Sequence, residues 1–244
     1  MTEKDALRQR VWDTMEAKDF AAFPRPVHRR IPNFKGADRA AQLLAEQEIW
    51  RRAKVIKSNP DAAQQPVRQR ALEEGKTLYM AVPKLAGEEP FVRVRGKEVS
   101  KPRYASTIKG AMGYGRPVGP DEMEKVDLVV AGCVAVNRAG ARLGKGGGFS
   151  DLEFALTRAY GVVSHLTPVV TTLHDSQVLR EEIPMNPHDE PVDFVATPQG
   201  FFQTEGRFPK PRGIRWELLT EKQIAAIPIL QRLKEQRTDG RAPL

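Results

Sequence analysis

A nearly unbroken apolar run, residues 127–136, leads within a few residues into a glycine-dense loop, residues 140–151. A valine-rich run of this kind predicts a central strand covered on both faces. Glycines allow positive φ angles and a close approach of the backbone, so successive N–H groups can point at a phosphate. Two basic side chains in the loop, Arg142 and Lys145, add compensating charge. Together these features predict a strand that delivers the chain to an anion-binding loop.

The length and composition fit one soluble globular domain over residues 1–244. Hydrophobic residues make up 40% of the chain and charged residues 29%, which is sufficient for a sizeable core. The apolar run is far shorter than the roughly 18 residues that a membrane span requires. The first residues contain no apolar segment typical of a secretory signal. We therefore expect a cytoplasmic protein without a membrane segment.

The metal-binding and thiol chemistry suggested by the sequence is limited. The single cysteine, Cys133, lies within the apolar run, so we expect a buried, unreactive thiol rather than a nucleophile. A lone cysteine also rules out an intrachain disulfide, which suits a reducing compartment. The four histidines are scattered without the spacing of zinc ligands.

Helical and extended patterns alternate along the chain. This order predicts an α/β fold with three layers, α/β/α, around a mostly parallel sheet. The expected helices are residues 5–16, 37–52, 64–74, 152–160 and 220–233, the last kinked at Pro228. The expected strands are residues 53–57, 77–82, 127–136, 166–173 and 194–197. Residues 84–120 are rich in glycine, proline and charge, and we interpret them as a long, loop-rich excursion.

The net charge of +8 and the pI near 9.7 indicate an anionic partner or a solvated basic surface. A nucleotide or a polyglutamyl compound is one class of partner. Nucleic acid is another, although the chain has no dense block of lysine and arginine and no aromatic RNA-binding signature. Both classes remain open from composition alone.

Three motifs resemble those of one enzyme family. The loop Arg142-Leu-Gly-Lys-Gly-Gly-Gly-Phe-Ser-Asp151 is similar to the glycine-rich ATP loop of the 5-formyltetrahydrofolate cyclo-ligase family. Residues 183–197, with a proline, a His-Asp pair and a Val-Asp pair before a strand, resemble the family's downstream run. Lys4 and Arg8 match a lysine and an arginine on its first helix. The wider sequence resembles a divergent branch of the family, the methenyltetrahydrofolate synthetase domain-containing proteins.

The resemblance implies a cyclo-ligase-like fold, of the type also found in CoA transferases, and a specific reaction. In the family, ATP phosphorylates the formyl oxygen of 5-formyltetrahydrofolate, N10 closes the ring, and phosphate leaves to give 5,10-methenyltetrahydrofolate. Positioning and charge neutralisation supply most of such catalysis. The alternative is a non-catalytic protein on the same scaffold that binds a nucleotide or RNA and acts in regulation.

The resemblance also assigns roles to individual residues. Arg142 and Lys145 would be catalytic, Asp151 and Asp193 would hold Mg²⁺, and Asp61 could replace the carboxylate that binds the folate. The residues that would contact ATP are Lys4, Arg8, Arg142, Gly144, Lys145, Gly146, Gly147, Gly148 and Phe149. Many cyclo-ligases carry Tyr-Tyr-Asp-Arg where this chain has Phe149-Ser-Asp-Leu152. The nucleotide half of the site therefore matches the family more closely than the folate half.

Overall fold

The computed structural model describes residues 2–238. The domain expected over residues 1–244 includes Met1 and residues 239–244, which lie outside the described part. The helices are α1 Glu3–Ala17, α2 Ala37–Ala45, α3 Glu48–Arg52, α4 Gln65–Glu73, α5 Pro102–Ala105, α6 Ile108–Tyr114, α7 Phe149–Ala159, α8 Glu221–Ala226 and α9 Pro228–Thr238. The strands are β1 Val55–Ser58, β2 Thr77–Ala81, β3 Phe91–Arg95, β4 Arg116–Val118, β5 Leu128–Val130, β6 Ala135–Asn137, β7 Arg142–Leu143, β8 Val169–Thr172, β9 Val178–Leu179, β10 Phe194–Thr197 and β11 Gly200–Gln203.

Eight strands form the large sheet, in the order β11-β10-β8-β5-β1-β2-β3-β4. The five central strands, from β10 to β2, run parallel to one another. The edges are antiparallel: β11 pairs with β10 on one side, and β3 and β4 extend the sheet on the other. The prediction of a mostly parallel central sheet is confirmed.

The layers follow from the alternation of side chains along the buried strands, since neighbouring residues point to opposite faces. Val129 of β5 lies in a core with α7, α8 and α9. Leu128 and Val130 lie in a second core on the other face, with α2, α3, α4, α5 and α6. Helices thus cover both faces of the sheet, which confirms the expected α/β/α arrangement.

A small sheet, β7-β6-β9, lies outside the large one. The apolar side of α1 packs against it in a third core that includes Leu7, Val11, Trp12 and Leu143. Thr2 caps the amino end of α1 through a reciprocal hydrogen-bond pair with Asp5. This packing holds the first turns of α1 beside the segment that follows β7, which is the glycine loop.

The apolar run is not the single strand that we expected over residues 127–136. It divides into β5 of the large sheet and β6 of the small one, with Gly132 between them. A Cβ on Gly132 would lie 2.8 Å from Asp61 Oδ2 and 2.9 Å from Gln64 Oε1, so a larger residue here would require both side chains to move. Every residue of the run from 128 to 136 is buried on both sides of the break, and the hydrophobic pattern therefore continues through it.

The prediction that residues 84–120 are mainly loop is wrong. They contain β3, α5, α6 and β4, each seven residues or shorter, which is too short for a periodic pattern to stand out. The two glycines in α6, Gly110 and Gly113, also lower its helix propensity. Gly110 is required by packing, because a Cβ there would lie 1.8 Å from the carbonyl oxygen of Tyr104.

Three helix boundaries also differ from those expected. Residues 37–52 form two helices, α2 and α3, instead of one. The helix expected over residues 152–160 begins three residues earlier, at Phe149, so that the glycine loop ends directly at its first turn. The last expected helix divides at Pro228 into α8 and α9. Among the described residues, no helix is long and apolar enough to cross a membrane.

Candidate functional site

A cavity of about 650 Å³ opens where three neighbouring parallel strands of the large sheet end. Asn59 follows β1, Val82 follows β2 and Gly132 follows β5, and all three residues line the cavity. Ligands of open α/β sheets collect at this edge, outside the carboxyl ends of the strands. The glycine loop and the start of α1 form the remaining walls.

The glycine loop turns sharply into α7. Gly146 and Gly148 have φ angles of 97° and 68°, a region that side chains with a Cβ rarely adopt. Gly148 is the N-cap residue of α7 and provides no side chain to cap the helix. The first N–H groups of α7 therefore lack an intrahelical partner, and the positive end of the helix dipole lies at the cavity. This is the backbone geometry of an anion-binding site.

Five cationic side chains line the cavity: Lys4, Arg8, Arg29, Arg142 and Lys145. Lys4 forms an ion pair with Asp189. Arg8 donates from Nε to the carbonyl oxygen of Gly144 at 2.7 Å, which ties α1 to the loop. Lys145 lies 3.4 Å from Asp61 Oδ1, and its side chain is 46% exposed. An incoming anion can therefore reach Lys145 without breaking a close ion pair.

Arg142 lies beneath the loop and is almost fully buried. Its Nη2 pairs with Asp151, its Nε donates to the carbonyl oxygen of Glu190 at 2.8 Å, and its Nη1 donates to that of Gly132 at 3.1 Å. Burial alone would lower the pKa of Arg142, but the carboxylates of Asp151 and Glu190 outweigh it and raise the pKa. Arg142 thus joins the glycine loop, the first turn of α7 and the strand ends through one permanent charge.

Glu190 is the most unusual acid in the site, because its side chain is fully buried beside Arg142. Arg142 Nη2 lies 3.6 Å from Glu190 Oε2, and within residues 2–238 neither carboxyl oxygen of Glu190 accepts a hydrogen bond. Burial raises the pKa of Glu190 to about 7, although Arg142 and Lys57 both act to lower it. Glu190 is therefore more easily protonated than an ordinary carboxylate, because its buried charge is poorly solvated.

A second buried pair lies under the floor of the cavity. Lys57 of β1 donates to Glu153 of α7 at 2.9 Å, and Asn59 donates to the same carboxylate oxygen at 2.7 Å. Burial raises the pKa of Glu153, and Lys57 opposes that change. Asn59 accepts in turn from Gly132 N at 2.9 Å and from the Ser150 hydroxyl at 3.2 Å. The network connects the strand ends to the first turn of α7.

The turn that carries Asp61 is held from below by Arg68 of α4. This buried guanidinium donates to the carbonyl oxygens of Asn59, Asp61 and Pro60, at 2.6, 2.9 and 3.3 Å. Burial lowers the pKa of Arg68 to about 10, so it remains charged at neutral pH. The position of Asp61 is therefore fixed by a charge that never contacts the cavity.

All but one of the residues predicted for the site line this single cavity. They are Lys4, Arg8, Asp61, Arg142, Gly144, Lys145, Gly146, Gly147, Gly148, Phe149 and Asp151. The exception is Asp193, which we expected to hold Mg²⁺ with Asp151. Its carboxylate accepts from Val169 N at 2.7 Å and pairs with Lys210 at 2.6 Å. Asp193 therefore lies at the amino ends of β8 and β10, whereas the cavity lies at the opposite edge of the sheet.

Several residues of the site were missed. Asp189 lines the cavity, and it belongs to the same conspicuous run as Asp193. Asn59 could have been found from its place directly after a parallel strand. Glu153 lies two residues beyond Asp151 on α7, but nothing in the sequence shows that it faces inward. Nothing in the sequence indicates that Glu190 belongs to the site, because its burial depends on contacts between distant segments.

Four carboxylates line the cavity, and two of them, Asp151 and Asp189, are the candidates for a cation. Of the other two, Glu153 is already bound to Lys57 and Asn59, and Asp61 faces Lys145. No group of three or more potential metal ligands occurs within residues 2–238. This set does not form a complete protein cage for a metal. It does fit Mg²⁺, which typically takes one or two carboxylates and completes its coordination with water and the phosphates of a substrate.

Comparison with known proteins agrees with this geometry. The model of the 5-formyltetrahydrofolate cyclo-ligase family matches residues 1–198. A methenyltetrahydrofolate synthase domain-containing protein from Bos taurus is 42% identical over 238 residues, which are 96% of this chain and 62% of the relative. The chain thus spans less than two thirds of that relative's length.

A 5-formyltetrahydrofolate cyclo-ligase from Mycolicibacterium smegmatis is 30% identical over 103 residues, or 41% of this chain and 50% of that enzyme. The solved structure of a 5,10-methenyltetrahydrofolate synthetase from Aquifex aeolicus has the same fold, with a TM-score of 0.51, 22% identity and coverage of 84% of this chain and 94% of the other. The resemblance expected from the three motifs, including the branch, is confirmed. The family model matches residues 1–198, which include the site residues from Lys4 to Asp189. The chain therefore belongs to the 5-formyltetrahydrofolate cyclo-ligase family.

Proposed function

We propose that this protein is an ATP- and Mg²⁺-dependent cyclo-ligase that converts 5-formyltetrahydrofolate, or a related N-formyl compound, to 5,10-methenyltetrahydrofolate. The observation that carries the proposal is the convergence on one cavity of the glycine loop, the amino end of α7, five cationic side chains and four carboxylates. Family membership supports the same reaction class. It gives no comparable support to the alternative, a non-catalytic regulatory protein that binds a nucleotide or RNA.

The nucleotide half of the site holds the phosphates. ATP with Mg²⁺ supplies the phosphoryl group that turns the formyl oxygen into a leaving group. The N–H groups at the start of α7 face the cavity where that charge would lie. Lys145 is the cation best placed to contact the transferring group, because it is half exposed and only weakly paired. Arg142 keeps Asp151 and the loop in position, since its guanidinium already binds three other groups.

The two carboxylates suit the metal. Asp151 and Asp189 each pair with a cation, Arg142 and Lys4, in the ligand-free arrangement. Mg²⁺ bound to phosphate would compete with Lys4 for Asp189, and would release the Lys4 ammonium group toward the phosphates. Asp151 accepts from Arg142 and from Glu190 N, the latter at 3.0 Å, through one oxygen, Oδ1, and its Oδ2 would be the oxygen for the metal.

The substrate half lies across the cavity, toward β2 and α6. Val82, Pro83 and Ile108 provide an apolar wall, and Asp61 and Asn59 provide polar groups at its edge. An apolar wall with a carboxylate at its edge suits a pterin ring, whose amino group and ring N–H donate hydrogen bonds. We therefore assign Asp61 the role of the folate-binding carboxylate.

The reaction can be tested by mixing the purified protein with ATP, Mg²⁺ and 5-formyltetrahydrofolate. The expected result is the ultraviolet absorbance of the methenyl product, dependent on all three components. No turnover over a range of pH and of N-formyl substrates, with the protein shown to be folded, would refute the proposal.

A matched pair of variants tests the metal assignment. Asp189→Asn should lower kcat by at least about tenfold and raise the Mg²⁺ concentration required, because a metal ligand is worth several kcal/mol of charge stabilisation. Asp193→Asn should leave the Mg²⁺ requirement unchanged, because that carboxylate is at the far edge of the sheet. If Asp193→Asn raised the Mg²⁺ requirement and Asp189→Asn did not, the metal ligand would be Asp193 instead of Asp189.

A further inference from the structure

A second cavity, of about 240 Å³, lies beyond the glycine loop. It is enclosed between α7 and the segment of residues 213–227. Its walls are mainly apolar. The principal wall residues are Phe149, Leu152 and Ala155 on α7, and Ile214, Leu218 and Ile227 on the opposite side.

The two cavities meet at the loop. Gly147, Gly148, Phe149, Asp151 and His188 line both of them. A ligand whose anionic part lies against the loop therefore lies next to the second cavity. The first cavity is the charged end of this continuous site and the second is its apolar end.

The size of the second cavity limits what it can hold. It is smaller than the roughly 300–1,000 Å³ clefts that bind whole drug-sized ligands, and its facing walls are apolar, which favours one flat ring system. Leu218 is 51% exposed although it is large and apolar, so this wall is not yet covered by another side chain. A ring placed there would cover it.

Unused polar groups lie at the edge of the cavity. The Gln223 carboxamide oxygen accepts from Thr220 N and Oγ1, each at 2.9 Å, while its amide nitrogen has no partner within residues 2–238. The backbone N–H and C=O groups of Gly213 and Ile214 likewise take part in no hydrogen bond in that range. Donors and acceptors at the rim of an apolar slot are what a heteroaromatic ring with polar edges requires.

The wall opposite α7 is not part of the region that defines the family. The family model ends at residue 198, before the whole segment of residues 213–227. The bovine relative nevertheless aligns with 96% of this chain, which includes most of the residues beyond 198. The α7 wall of the cavity thus lies within the family match, whereas the opposite wall comes from a segment beyond it.

We propose that the second cavity is the subsite for the base of the nucleotide whose phosphates the glycine loop holds. The proposal rests on the proposed function only in that the loop binds a nucleoside triphosphate. Phe149 and Leu152 contact one face of the base, and Ile214 and Leu218 contact the other. Gln223 and the backbone of Gly213 form hydrogen bonds with its polar edge. The segment beyond the family region thus determines which nucleotide is used.

The test is a calorimetric comparison of ATP with inorganic tripolyphosphate, each with Mg²⁺. Ala226 lines the cavity and is exposed at the end of α8, so Ala226→Trp fills the space without disturbing the core. Ala225→Trp is the matched control, since it makes the same change at the neighbouring exposed residue, which does not line the cavity.

In the wild type, ATP should bind at least about tenfold more tightly than tripolyphosphate, the equivalent of 1.4 kcal/mol from the base and ribose. Ala226→Trp should remove most of that difference and leave tripolyphosphate binding unchanged. Ala225→Trp should change neither. Leu218→Ser, which removes part of the wall at an exposed position, provides a second variant and should weaken ATP alone by a smaller factor.

Three outcomes would overturn the inference. ATP and tripolyphosphate could bind the wild type equally, Ala226→Trp and Leu218→Ser could bind ATP as the wild type does, or both ligands could weaken together in the variants. The proposed function would survive each of them. If the wild type bound neither ligand, the proposed function would fail and the base subsite would fail with it.

Discussion

The site has two charged regions that differ in burial and in how their charges are paired. The outer cations, Lys4, Arg8 and Lys145, lie at the rim of the cavity with partly exposed side chains. The buried network, Lys57, Arg142, Glu153 and Glu190, lies beneath the loop with exposures of 7% or less. The outer cations can exchange their present partners for a ligand. The charges of the buried network keep the partners that they have.

The difference follows from solvation. An exposed ion pair is worth about 0–1 kcal/mol, so a phosphate can replace Asp61 beside Lys145 at little cost. A buried pair has already paid its desolvation penalty, and the removal of one partner leaves an uncompensated charge in a medium of low dielectric constant. The outer cations therefore bind the ligand, while the buried network fixes the geometry of the loop and the strand ends.

The sharpest test of this division is Arg142→Met. The change should destabilise the protein by about 3–5 kcal/mol, because it leaves Asp151 and Glu190 without their shared cation. Turnover should fall by at least about a hundredfold as the loop loses its anchor. Urea unfolding and the product assay measure the two effects.

The control for Arg142 is Arg10→Met, which removes an arginine that pairs with Glu181 at the surface, with exposures of 54% and 46%. Its cost should stay below about 1 kcal/mol. Similar costs at the two positions would show that burial does not distinguish the regions.

The next effect depends on pH and comes from Glu190. Its pKa of about 7 lies above the ordinary value of 4.5, so the folded protein retains a proton that the unfolded chain has released. Stability should therefore fall as the pH rises from about 4.5 to 7, and the loss should be complete above pH 7. Glu190→Gln removes this titration. The free energy of unfolding of the variant, relative to that of the wild type, should therefore rise by roughly 1–3 kcal/mol between pH 4.5 and 7.

Urea unfolding of both proteins from pH 4.5 to 8 measures this gain. Glu73→Gln, at an exposed position of α4, controls for the change in net charge. A constant difference between Glu190→Gln and the wild type across the interval would mean that Glu190 is ionised throughout.

The outer region could be predicted from the sequence, whereas the buried network could not. The glycines, Arg142, Lys145 and Asp151 stand together in one segment, where composition alone marks an anion site. Lys57 and Glu153 are 96 residues apart, one in a strand and the other in a helix. Their pairing follows from the packing of α7 on β1, which no local pattern contains.

The errors have the same physical origin. Asp189 and Asp193 are four residues apart, yet one lies in the cavity and the other at the opposite edge of the sheet, because the chain between them crosses from the loop to the start of β10. The apolar run was taken for one strand because both halves are buried, and its break at Gly132 depends on the distant side chains of Asp61 and Gln64. Burial is visible in a sequence, whereas the layer that a buried residue joins is not.

A smaller effect on stability is expected for the outer region. Lys145→Ala should change the free energy of unfolding by less than about 0.5 kcal/mol, because its pair with Asp61 is long and exposed. Binding of ATP with Mg²⁺ should nevertheless weaken by at least about tenfold, or 1.4 kcal/mol. Lys125→Ala, at an exposed position away from the cavity, should affect neither quantity. A large loss of stability in Lys145→Ala would place this residue with the buried network.

The smallest effect tests whether solvent reaches the buried network. Cys133 follows Gly132, is 1% exposed and lies 3.1 Å from the Thr171 hydroxyl. Burial raises the pKa of its thiol to about 11, so the reactive thiolate is scarce at pH 8. An alkylating reagent should therefore modify the native protein far more slowly than the protein in urea, as followed by mass spectrometry. Equal rates would show that the floor of the cavity opens readily, and the buried charges would then be no better shielded from water than the outer cations.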